Sequence, residues 1–410
     1  MMLGIWFNHE DRRLRSKKHV DFECLKRFGF TDAFILIKGM AHDKRSTPED
    51  HAHLDSLIRE LCLQGIRTHG VFICSEDREY SSLYPDRTDT SIFGKKSDSR
   101  ISHLDTRYLE YLTRLVLTAA SEYPLDGIQF DFLRYGYIGN GWSPEEEKIY
   151  ASFGVDIPKL KDEILARYDS SKPQYNLEPV FSRYRDHEEQ VCGFAAGRQS
   201  IIKGFARALT ESVRCGLPCP GIELSIAMMP EGLFAPWRDV AALHYGQIYE
   251  DFYPLFDRLY PMIYTGAYNK DSGWVAELSE NASACFPGSV IGFECTDPMT
   301  SARMRGDIAA IRGGNHAGIC FFRYGRMVLA VRDGQDTLLY NTYPGSATRL
   351  ILSRENTEIE RDCELEEASW LRVPGHWDLI RAFGRYKNGS DHYFDGELCV
   401  LEAESARLRT

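Results

Sequence analysis

The chain has 410 residues, 43% of them hydrophobic and 12% aromatic, enough apolar mass to bury a large core and to exclude a disordered protein. Its 60 acidic residues against 49 Lys and Arg leave a formal net charge of −11. That balance argues against nucleic acid and anionic membrane surfaces as partners, because both are bound through basic stripes.

Eight short runs read as strands. In order they are MLGIWF (2–7), DAFILIK (32–38), IRTHGVFI (66–73), LDGIQFD (125–131), GIELSIAM (221–228), DRLYPMIY (257–264), SVIGFE (289–294) and AGICFFR (317–323). Each is too short for a helix and dense in β-branched or aromatic residues. Helical periodicity lies between most of them. Residues 48–65 carry apolar side chains at helical spacing and stop at a glycine; 105–124 begin on an Asp cap and end before proline; 195–216 follow the same pattern. Alternating strands and helices imply parallel strands with crossover connections. Eight units predict a (β/α)8 TIM barrel over residues 1–335. A doubly wound sheet is the alternative, but no glycine-rich turn follows the first strand.

A long excursion, 136–195, follows the fourth strand and is expected to shape the substrate site. After residue 335 the pattern changes to short, polar-turned strands, so 336–410 is read as a small β-rich appendage that caps the barrel rather than binding on its own account. The basic run 11–19 reads as a solvated loop or helix start. Eleven scattered cysteines include one close pair, Cys215 and Cys219, without a second pair at metal spacing; Cys74, Cys295 and Cys320 read as small buried hydrophobes in a reducing compartment. No run of about 18 apolar residues predicts a membrane span. The first strand begins almost at Met1, so the expectation is a cytoplasmic protein unless a longer precursor is exported.

Barrel enzymes carry their reacting groups at the carboxyl ends of the strands. Those ends hold Asn8 and His9, Lys38, Glu76, Asp131 with Arg134 and Tyr135, Glu231, Tyr264, Glu294 with Asp297, and Arg323 with Tyr324. Alternation puts Gln129 and Asp131 on one face of the fourth strand and Ile128 and Phe130 on the other, so the two polar residues are expected to point inward. Glu294 takes the same position on the seventh strand. Two carboxyls across a cleft are what glycosidic-bond hydrolysis requires, one donating a proton and the other attacking or activating water. The plainer readings are an Asp131 that caps its loop or pairs with Arg134, and a Glu294 that pairs with Lys38 or Arg323. Tyr264, Lys38 and Arg323 would bind hydroxyls or neutralise the carboxylates. Trp142, Trp237 and Trp274 fall in loops after strands four to six, where indoles stack on sugars or simply pack. Metal and phosphate readings do poorly: His51 and His53 face apart on a helix, His42–Asp43 is a single pair, and the glycines of 312–318 precede their strand.

The run LDGIQFDFLRYG resembles the strand-four segment, roughly DGIHLDYIRYP, of the family-10-like glycosyl hydrolases. LGIWFN, the run from GRQSIIKGFARAL into IELSIAMMPEG, and YPMIYTGAY are similar to that family's first, fifth and sixth strand regions. The resemblance implies a barrel hydrolase of a poly- or oligosaccharide, such as a cell-wall glycan, in which Asp131 matches the motif aspartate and Arg134 and Tyr135 its tail. Gln129 stands where the family has His, and Gly136 where it has Pro. A more distant likeness is to chitinase-type barrels; there Asp126 and Asp131 match two acids, but Gln129 replaces the middle one and Leu133 occupies the place of the proton-donating Glu. The reading is therefore a glycoside hydrolase with Asp131 and Glu294 as its reacting pair, a carbohydrate as its partner and no cofactor. Gln129, Lys38, Arg134, Tyr135, Tyr264, Arg323 and the three tryptophans would bind substrate. The competing reading is an inactive barrel that binds carbohydrate.

Overall fold

The computed structural model describes residues 2–7, 20–41, 43, 45, 47–169, 174–175, 177–295, 299–311, 315–355, 357–387 and 393–403. Asn8, His9, the basic run 11–19, His42 and Asp297 lie outside them.

Eight strands build the barrel: β1 (Met2–Phe7), β2 (Asp32–Lys38), β3 (Arg67–Ile73), β4 (Gly127–Asp131), β5 (Glu223–Met228), β6 (Arg258–Pro261), β7 (Val290–Glu294) and β8 (Gly318–Phe322). They pair in parallel in the order β6-β5-β4-β3-β2-β1-β8-β7, and the bridge between Met262 and Gly292 joins the two ends. This is a (β/α)8 TIM barrel.

The period of two separates its faces. Ile5, Phe7, Ile35, Ile37, Ile128, Phe130, Ile291 and Phe293 join the large core between strands and outer helices. Trp6, Phe34, Val71, Tyr260, Val290 and Cys320 form a second cluster inside the barrel. The amino-terminal end of the interior is charged. Asp32 accepts from the buried His69 at 2.8 Å, and Arg67, Glu223 and Arg258 complete the network. Gly127 is required there, because a Cβ would fall 2.2 Å from the His69 ring. Burial works against the charge on Asp32, but hydrogen bonds from His69 and Thr31 outweigh it and hold its pKa below the usual carboxylate range.

The helices follow from local signals. Pro48–Leu63 starts on a Thr47 cap with proline in its first turn, Thr106–Glu122 on Asp105, Ser272–Cys285 on Asp271 and Ser301–Ala310 on Thr300. Residues after β4 form the helices Pro144–Ser152, Ile157–Leu165 and Glu178–Arg185, and the long helix Glu189–Gly216 begins within the expected excursion. The pattern change expected at 336 falls inside a hairpin of β9 (Val328–Asp333) and β10 (Asp336–Asn341). With β11 (Gly345–Arg354), β12 (Thr357–Leu365), β13 (Trp370–Pro374), β14 (Leu379–Lys387), β15 (Tyr393–Leu398) and β16 (Val400–Glu402) they make two four-stranded sheets, β13-β10-β9-β16 and β12-β11-β14-β15. These enclose their own core, including Leu339, Leu350, Ile380 and Leu398. Trp370 donates to Asp21 and the Ser301 amide to Glu397, which ties the sheets to the barrel helices. Among the described residues no helix is long and apolar enough to cross a membrane.

Candidate active site at the barrel mouth

A cavity of about 510 Å³ opens at the carboxyl ends of the strands, and Asp131, Arg134, Tyr264 and Arg323 all line it. Asp131 ends β4 with its side chain 20% exposed. Its Oδ1 accepts from the Phe132 amide at 2.6 Å and from Arg134 Nη1 at 3.3 Å. Phe132 itself is left-handed, with φ 55°. For a bulky residue that costs about 1–3 kcal/mol. The Asp131 carboxylate captures the amide of this turn, and the Arg134 guanidinium lies 4.4 Å from the Phe132 ring, so the two neighbours hold it.

Tyr264 follows β6 and stacks on Phe322, ring centroids 5.7 Å apart. Burial first, and then the nearby charges of Asp131 and Glu294, push its phenol well above its ordinary pKa, so it stays a proton-bearing donor. Glu294 ends β7, and its Oε2 accepts at 3.0 Å from the amide of Ala267, a residue of the cavity wall, while Glu294 itself is not among the lining residues. Arg323 follows β8 over the Phe322 ring.

Below these groups the lining turns apolar. Trp6, Leu36, Val71, Ala227, Met262 and Phe322 come from six regions of the barrel and leave few polar atoms in the lower cavity.

Other expected site residues lie elsewhere. Strict alternation puts Lys38 in line with Phe34 and Leu36, facing inward. The β2–β3 register slips between Leu36 and Lys38, so Lys38 pairs with Phe72 of the outer core. Its ammonium is fully buried behind the barrel, 3.3 Å from Asp77 and bonded to the carbonyls of Ile73 and Glu76. Gln129 faces inward as expected but sits one layer below Asp131, accepting the Trp6 indole N–H at 2.6 Å. Tyr135 is buried and donates to Glu146. Trp142 is buried against Phe194 and donates to the Ile138 carbonyl. Trp237 and Trp274 pack behind Tyr268, which does reach the cavity. The aromatic lining thus consists of Trp6, Phe7, Phe132, Tyr264, Tyr268 and Phe322, and none of the three loop tryptophans contributes to it.

The structure also draws out Glu231, present at its strand end but given no role in the expected pair. It lies in the turn Pro230–Leu233 after β5 and is 4% exposed. Tyr268 and Tyr245 both donate to Oε1, at 2.9 and 3.2 Å. Burial raises its pKa above the usual range, against the lowering effects of those hydrogen bonds and of Arg134. Its position past β5 was visible in the sequence; the two tyrosines that hold it, Tyr245 further along the same connection and Tyr268 after β6, were not. Among the described residues no group of three or more His, Cys, Asp or Glu is placed to hold a metal ion.

An eight-stranded parallel barrel whose mouth holds carboxyl, guanidinium and phenol groups around an aromatic cavity defines the class of architecture. No protein-family profile matches the sequence, and no curated protein does. Solved structures do. The PgaB (BpsB) glycoside hydrolase domain from Bordetella bronchiseptica is 12% identical with a TM-score of 0.57, over 78% of this chain and 94% of that one. The catalytic domain of β-amylase from Paenibacillus polymyxa is 11% identical with a TM-score of 0.57, over 78% and 92%. The β-galactosidase from the psychrophilic Marinomonas ef1 is 12% identical with a TM-score of 0.55, over 80% of this chain and 54% of that one. At such identities the likeness is one of fold, and it does not single out the family-10-like hydrolases.

Proposed function

We propose that the protein is a glycoside hydrolase acting on a poly- or oligosaccharide, with Asp131 and Glu294 as its two reacting carboxyls. The observation that carries this reading is the cavity at the barrel mouth, lined by Asp131, Arg134 and Tyr264 and by Ala267, whose amide donates to Glu294. Asp131 lines the cavity and Glu294 bonds to a residue of its wall, although the two end strands β4 and β7. One would protonate the leaving oxygen, and the other would attack the anomeric carbon or activate water. Arg134 fixes Asp131, the Ala267 amide fixes Glu294, and Tyr264 would donate to a sugar oxygen between them. The fold-level likeness to a glycoside hydrolase domain, a β-amylase and a β-galactosidase supports the same chemistry.

A glycan panel followed by NMR of the product anomers tests the proposal. Wild type is expected to hydrolyse at least one glycan, and Asp131→Asn to lose that activity. If Asp131→Asn is as fast as wild type, the assignment is wrong. If neither protein hydrolyses any glycan while both bind one, the inactive, carbohydrate-binding reading replaces it.

A further inference from the structure

A second pocket, of about 330 Å³, lies between the short helix Arg78–Leu83 and the helix Thr106–Glu122, and the proposed reaction uses none of its residues. Tyr80, Tyr84 and Tyr111 line it, the Tyr80 ring centroid 4.8 Å from that of Tyr84 and 5.4 Å from that of Tyr111. Tyr80 is buried and donates to Asp105 at 2.8 Å, which anchors the cluster, whereas Tyr84 is 40% exposed. Glu79 lines the pocket from the short helix, and Arg107, Glu110 and Arg114 line it from the long one. Their helical spacing puts these three on one face with Tyr111. Among the described residues, no ion pair or side-chain hydrogen bond occupies any of the four charged groups. The pocket is also next to the barrel mouth. The carbonyl of Met40, a cavity-lining residue, accepts from the Arg78 amide and that of Ala41 from the Glu79 amide, both at 3.0 Å, so the short helix starts on the cavity rim.

We propose that this pocket is a second carbohydrate site, which holds a stretch of glycan chain away from the bond that is cut. Its two guanidiniums and two carboxylates balance, so it selects neither an anion nor a cation. Instead it sets donors and acceptors side by side against aromatic rings. A sugar is the complement: each hydroxyl both donates and accepts, and the C–H face of the ring packs on an aromatic side chain. The charged groups meet hydroxyls without first breaking ion pairs of their own, whereas an apolar ligand would cover them without partners. Because the short helix starts on the cavity rim, a chain that leaves the mouth over Met40 runs toward this pocket. The inference rests on the proposed function for the class of ligand and for nothing else.

Affinity electrophoresis through gels that hold the polysaccharides of the same panel, paired with hydrogen exchange of the full chain, tests it. At least one polysaccharide is expected to retard the wild-type protein and to slow exchange in residues 78–87 and 106–115. Tyr84→Ala, and Arg107→Ala combined with Arg114→Ala, are expected to weaken that binding about tenfold, the order of one aromatic or charged contact. All three side chains are exposed, and thermal melting identifies a variant that has merely unfolded. Failure of every polysaccharide to bind, protection confined to the mouth, or folded variants that bind like wild type overturn the inference, even where the protein hydrolyses a glycan. Binding that protects these two helices without hydrolysis of any glycan supports it while removing the proposed catalytic activity.

Discussion

The hydroxyl of Tyr268 lies 2.9 Å from Oε1 of Glu231 and donates to it, which links a residue of the cavity wall to a carboxyl enclosed behind that wall. Tyr245, further along the β5–β6 connection, donates to the same oxygen. Glu231 therefore fastens the loop after β6 to the loops after β5, and its removal should be felt in stability first. Glu231→Ala is expected to cost about 1–3 kcal/mol, because two half-buried tyrosine hydroxyls lose their acceptor. Glu231→Gln keeps an acceptor oxygen and should cost less. Urea unfolding of the two variants measures the difference; equal losses would show that the acceptor does not matter.

Asp131→Asn is expected to lower kcat by about 10²–10⁴-fold, the usual contribution of a positioned acid–base group. The Asn side-chain oxygen can still accept from the Phe132 amide, so the left-handed turn and the melting temperature should change little. Kinetics and calorimetry on the same preparation separate lost chemistry from lost structure.

Lys38→Met removes one member of a fully buried pair and leaves Asp77 without its cation. A destabilisation of about 3–5 kcal/mol is expected. Because the bulge turns Lys38 away from the cavity, sugar affinity of the folded fraction should stay as in wild type. A selective loss of sugar binding at unchanged stability would contradict the placement of this lysine.

Stability should also respond to pH through a buried pair of acids near the insertion. Burial, and then repulsion from Glu146, pushes Asp89 up to about 7, and burial raises Glu146 as well. The folded protein therefore holds a proton on Asp89 up to about pH 7, whereas the unfolded chain releases it near the ordinary carboxylate pKa of about 4. Between these values the folded state binds more protons, so stability falls as pH rises and levels off above the folded value. Asp32, with its lowered pKa, contributes stability that is lost only at pH values below that window. A higher melting temperature near about pH 5 than near about pH 8 is expected, and Asp89→Asn should reduce the difference. A wild-type melting temperature that rises across this interval would refute the account.

Much of the barrel is legible in the chain because strand alternation is a property of the backbone alone. It placed Asp131 and Glu294 at strand ends and separated Gln129 from Ile128 and Phe130 without reference to any distant residue. The same rule misdirects at Lys38, where one irregular step in the β2–β3 pairing reverses the side chain, and that step depends on the partner strand. The tryptophans show a related limit. Their loops were located correctly, but an indole in a loop packs or protrudes according to what lies across from it. For Trp142 that is Phe194 on the long helix, and for Trp274 it is Tyr268.

Local order along the chain was thus sufficient for the succession of strands and helices, the parallel barrel that follows from it, and the short set of polar residues at its mouth. Short-range sterics, capping and hydrophobic period encode these features, and all act within a few residues. Which mouth residues share a cavity was settled by folding: Asp131, Arg134, Tyr264 and Arg323 line it, Lys38 and Tyr135 turn into buried pairs, and Glu231 is enclosed by two tyrosines. Those outcomes depend on side chains far apart in sequence competing for buried space and for hydrogen-bond partners, and no local pattern records that competition.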